Sequence, residues 1–184
     1  MTVSGTGLLT RLNDELVAPR AGTGELLTTY LAALAGTGLA VTLAAEAGLG
    51  WLPVLVLGIV AFDMFGGAVA NATTAAKHRF HAPGRTWRRH LGFVAIHLQP
   101  FLLALVVPGF GWATAAVVYA GVLAGAVLVL AVPGQLRRPA AFAVAVLGAA
   151  AATMLPVPDP VAWFVPTLLI KLLLGHLLPG EAGR

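Results

Sequence analysis

The chain has 184 residues, of which 59% are hydrophobic and only 10% charged, and its mean hydropathy is +0.91. Soluble domains carry about 25% charged residues, so this composition could not cover a water-facing surface and the chain reads as an integral membrane protein. With no cysteine, disulfides, thiolate metal sites and a cysteine nucleophile are excluded.

Residues 1–25 come first. Leu8, Leu9, Leu12, Leu16 and Val17 recur at helical spacing, with Arg11, Asp14, Glu15 and Arg20 between them. That pattern predicts a short amphipathic helix on the cytoplasmic membrane surface. The same stretch lacks the continuous apolar core and small-residue cleavage site of a signal peptide.

A spanning helix needs about 20 apolar residues, and six charge-poor runs supply candidates. Residues 26–45 carry no charge. Residues 51–76 carry only Asp63. The long run from 91 to 136 is divided by Pro108, Gly109 and Gly111 into spans at 91–107 and 112–132. A fifth span is expected at 139–155 and a sixth at 161–178, interrupted by Lys171. The expected fold is therefore all-α: a six-helix transmembrane bundle over 26–178, with a cytoplasmic tail at 179–184.

Orientation follows from Lys and Arg placement. Under six spans, ten of the eleven basic residues fall on one side: Arg11, Arg20, Lys77, Arg79, Arg85, Arg88, Arg89, Arg137, Arg138 and Arg184. Both termini are expected in the cytoplasm, in a plasma membrane. The Ala-, Gly-, Pro- and Arg-rich composition suggests a GC-rich bacterial genome. Gly36, Gly38, Gly66, Gly67, Gly121 and Gly125 would let helix backbones approach closely. They suit packing within the chain better than a dimer face, and the oligomeric state stays open.

Chemistry is sought among polar residues that a bilayer would reject, since Asp or Lys at a helix centre costs about 2.5–3.5 kcal/mol. Counted from the cytoplasmic end of a helix running to 76, Asp63 lies roughly 20 Å deep, near the midplane. His97, Gln99, Asn71 and Lys171 share a shallower level, with Lys171 roughly 10 Å deep. On a continuous helix Thr74 falls about 20° from Asp63 and Asn71 about 80°. Pro100, three residues after His97, frees the carbonyl of Ile96 and loosens the backbone beside that imidazole.

Four of the five histidines lie between Lys77 and His97, spaced H-x2-H-x8-H-x6-H. His78, His81, His90 and His97 are candidate ligands for a divalent metal, although the spacing matches neither HExxH nor a zinc-finger pattern. Arg85, Arg88 and Arg89 suit anionic lipid headgroups or a phosphorylated substrate, while positive-inside bias alone also explains them. Nucleic acid is not a sensible partner for so short a membrane-bound loop.

Three readings follow. In the leading one, a small membrane enzyme or binding protein opens a polar site to the cytoplasmic leaflet and acts on a lipid-like substrate. Its catalytic residues would be His97, Asp63 and Lys171, with Asn71, Gln99, Arg85, Arg88 and Arg89 binding substrate. The alternatives are a proton-coupled transporter using Asp63, or a structural and assembly role with every polar group satisfied internally.

Overall fold

Proline, glycine and a few side-chain caps decide where the helices start and stop in the computed structural model, which describes residues 7–180. Those residues form helices and no strand. Four helices are long and apolar enough to cross a membrane: Thr23–Glu46, Trp51–Ala72, Trp87–Val106 and Trp112–Ala131. The first is α2, following α1 (Leu8–Leu16). The second is built from α3 (Trp51–Ala61), a π-helical turn (Phe62–Gly66) and α4 (Gly67–Ala72). After α5 (Thr74–Phe80), the third comprises α6 (Trp87–Ala95) and α7 (Gln99–Val106), and the fourth is α8. Then come α9 (Gly134–Ala152) and α10 (Phe164–Leu169), which passes directly into a second π-helical segment, Ile170–His176.

The last two elements depart from the sequence expectation. α9 starts at Gly134 behind Pro133, not at 139, so Arg137, Arg138 and Pro139 all lie within the helix. Pro139 is the sixth residue of the helix and lacks the amide that would otherwise bond the Gln135 carbonyl, so the first turns carry one backbone hydrogen bond fewer. The final segment falls within the expected 161–178 stretch but is divided into α10 and the π-helical residues 170–176. It lies at the centre of the protein, with Val161, Phe164, Leu168, Leu172, Leu173 and Leu177 almost wholly inaccessible. An apolar helix without a polar face is a buried helix, and this one packs on the first π-turn, α4, α8 and α9.

The second span stops at Ala72, not 76. Thr73 is extended (φ −65°, ψ 151°), and its hydroxyl oxygen accepts the Ala76 N–H at 3.2 Å to start α5. Glu25 secures the same junction. Its Oε2 accepts the Gly22 N–H at 2.9 Å and its Oε1 the Ala75 N–H at 3.2 Å, so one carboxylate serves the first amides of α2 and α5. The angular alignment of Asp63 with Thr74 therefore does not hold, because the helix between them is interrupted and its π-turn has already shifted the phase.

α1 is tied to the same end. Tyr30 donates to Asn13 Oδ1 at 2.6 Å, Arg79 donates to the Asp14 carbonyl at 2.6 Å and pairs with Glu15 at 3.5 Å. The side chains of Leu8, Leu9 and Leu12 and the residues 181–184 of the expected tail lie outside what is described.

Among the glycines, Gly36 has no room to spare. A Cβ there would sit 2.2 Å from the ring of Phe65, which itself meets the Trp163 ring in a tilted contact at 5.4 Å. Gly38 and Gly121, expected to pack closely, face open space. Gly36→Ala should accordingly lower the thermal midpoint in detergent while Gly38→Ala leaves it within error; equal effects would contradict this packing.

Candidate functional site

The polar residues of the apolar layer gather around two π-helical segments that face each other. A π-turn inserts an extra residue into a helix and often marks a functional position. The first carries Asp63 and the second Lys171. The Lys171 ammonium lies 2.7 Å from Asp63 Oδ1. Its side chain is 3% exposed, whereas that of Asp63 is 47% exposed. Gln99 donates through Nε2 to the other carboxylate oxygen, Oδ2, at 3.1 Å. Asn71 donates to the Lys171 backbone carbonyl at 3.3 Å, fastening α4 to the central segment.

Gly67 leaves room for the ion pair. A Cβ at this position would stand 2.6 Å from Lys171 Cε and 2.9 Å from its Nζ, so any larger residue would force the end of the lysine side chain to shift from its present path to Asp63. The depths inferred from sequence separated these two charges. With the span ending at Ala72, Asp63 is nine residues from its end, roughly 14 Å at 1.5 Å per residue. Lys171 sits at the level that this shorter count allows.

His97 occupies the break between α6 and α7. Pro100 lacks the amide that would bond Ile96, and the Ile96 carbonyl accepts the Leu98 N–H at 2.9 Å instead. The His97 amide turns to the Val94 carbonyl, leaving the Phe93 carbonyl without its helical donor. His97 Nδ1–H fills that vacancy at 2.7 Å. The buried imidazole is thus held by the kink it stabilises, within electrostatic range of both Lys171 and Asp63.

A second polar group closes the other end of the central segment. Lys77 donates to the carbonyls of Gly175 and Leu178, and His81 Nε2–H donates to the His176 carbonyl at 3.0 Å. These are the unpaired carbonyls of a helix C-terminus, where cations are favoured. Burial pushes the Lys77 ammonium down to about 8 and the His81 imidazole below its ordinary value. Behind them His81 stacks on His90 at 4.7 Å, and His90 Nδ1 meets His176 Nε2 at 3.2 Å.

The residues singled out from sequence therefore divide. Asp63, Lys171, Gln99 and Asn71 assemble, with His97 near them. Arg85, Arg88 and Arg89 are exposed and outside this group. His78 is exposed, and His97 sits with the ion pair, so the four expected metal ligands do not converge; His81 and His90 find His176 instead. Among the described residues no three His, Asp or Glu side chains form a group that could hold a metal. His176 was missed because its meeting with His90 depends on a contact 86 residues apart. No family model, curated protein or solved structure matches the chain.

The unequal burial of the pair makes a directional prediction. Asp63→Asn strands a buried ammonium and should cost about 3–5 kcal/mol, whereas Lys171→Met removes the buried charge and leaves a carboxylate still hydrogen-bonded by Gln99, and should cost less. Steric-trapping or thermal unfolding of both variants in detergent checks this; the opposite order would contradict the geometry.

Proposed function

We propose that the protein is a multi-pass membrane protein that couples proton uptake at Asp63 to movement of its central helix, as a proton-linked transporter would. The observation that carries this reading is the Lys171–Asp63 ion pair, an ammonium almost fully buried against a half-exposed carboxylate inside the apolar layer. Ionisable residues at such depth are functional by default, because the bilayer penalises them otherwise. Protonation of Asp63 would leave Lys171 without its counter-charge and favour its displacement. The groups facing Asp63 are Lys171, Gln99 and the nearby His97.

The alternative of a small enzyme working on a lipid-like substrate through His97 needs Lys171 and Asn71 free to orient that substrate. Both are turned to partners inside the protein, Lys171 to Asp63 and Asn71 to a backbone carbonyl. That favours the proton-linked reading. We further propose six membrane-embedded helices with both termini in the cytoplasm of a bacterial plasma membrane. The basic residues of α5, of the loop before α6 and of the start of α9 support this orientation. α1 would lie at the same interface, where anionic headgroups are the natural neighbours.

Trp163 offers a direct readout, since its ring contacts Phe65 of the first π-turn and it heads the segment bearing Lys171. With the exposed Trp51, Trp87 and Trp112 changed to Phe, acidification should shift Trp163 emission reversibly. Asp63→Asn in that background should abolish the response. The same pH response with and without Asp63 would refute the coupling.

A further inference from the structure

A cavity of about 810 Å³ opens between α5 and the start of α9, floored by residues 178–180. Lys77, His78, His81, Arg137 and Arg138 line it, and among the described residues no Asp or Glu does. Gly134, the first residue of α9, is also in the wall. That helix has no side-chain cap and no acidic residue in its first turn, so its leading amides present uncompensated positive potential.

Donor capacity remains at the wall. Lys77 spends two of its three N–H groups on the carbonyls of Gly175 and Leu178. The Arg137 Nε is buried with no partner among the described residues, and its Nη2 has only a long 3.5 Å contact to the Leu130 carbonyl. A buried unpaired guanidinium donor is costly unless an acceptor arrives. Arg fits phosphate oxygens as a fork, and Lys serves them as a point charge.

We infer that this basin binds a phosphate-bearing anion, with Arg137, Lys77 and His78 as its principal contacts and the α9 amides behind them. The shared chemistry is a phosphate monoester, either on a lipid headgroup at the membrane surface or on a soluble molecule. Positive-inside bias alone would explain the charges but not their convergence on one cavity. Arg88 and Arg89, in the first turn of α6, are exposed and stand outside it, so they provide an internal control.

Lys77 also sets the pH dependence. Its burial-lowered value of about 8 means that its charge is present below that pH and lost above it. Affinity for a phosphate dianion should therefore fall as pH rises through about 8.

The test compares the full chain with His78→Gln/Arg137→Gln and Arg88→Gln/Arg89→Gln, each in phosphatidylcholine nanodiscs. Inorganic phosphate and glycerol phosphate are titrated by calorimetry; in a parallel arm, phosphatidate is included in the disc and retained lipid is counted by native mass spectrometry. The basin variant should bind about tenfold more weakly or worse, with the Arg88→Gln/Arg89→Gln variant unchanged. Loss confined to the titrated anions identifies a soluble ligand, and loss confined to phosphatidate identifies a headgroup; either supports the basin. No binding to the full chain in both arms, or equal weakening in both variants, overturns it. Neither result depends on Asp63, whose replacement should leave phosphate binding intact.

Discussion

The Lys171–Asp63 ion pair is the constraint around which the remaining structure is arranged. A lysine in the middle of an otherwise apolar central helix can be accommodated only if a counter-charge meets it there. Here Gly67 leaves the lysine its passage, a π-turn aims Asp63, and a second π-segment aims Lys171. Gln99, delivered by the Pro100 kink, takes the second carboxylate oxygen. An ion pair of this kind is weak evidence for stability, since apolar residues of similar volume often do as well. In the function proposed above, the half-exposed carboxylate is the group that takes up the proton.

The stretch from Asp63 to His81 holds the central segment along its length. Asp63 grips the Lys171 side chain and Asn71 its backbone carbonyl. Lys77 and His81 then take the carbonyls at the end, next to the cavity that we assign to a phosphate. The ion pair and the basin thus sit at opposite ends of the central segment, and His90 of α6 meets His176 at its end.

Much of this was legible in the sequence. Charge-free runs located α2, α8 and both halves of the third span, and Asp63, Lys171, Gln99 and Asn71 stood out as polar groups in an apolar setting. The partnership between Asp63 and Lys171 was not legible, because it depends on a helix ending at Thr73 and on two π-segments that no periodicity announces. The final segment read as one more span among six, and its central, largely buried position was not apparent because its burial depends on helices distant in the sequence. Arg137 and Arg138 read as a loop because the fifth span is bounded in the sequence by its charge-free run, whereas the helix itself starts at Gly134 behind Pro133. The basin was hidden for the same reason, since only the true start of α9 brings those arginines to Lys77.

The most direct test of the proton-linked pair is infrared difference spectroscopy in lipid as the pH is lowered, comparing the wild-type chain with Asp63→Asn and with the apolar pair Asp63→Leu/Lys171→Met. The account predicts a protonated-carboxyl band and an accompanying backbone amide change in the wild type, both absent from the two variants, while the apolar pair remains folded. An amide change that persists without Asp63, or no Asp63-dependent carboxyl band at all, would contradict it.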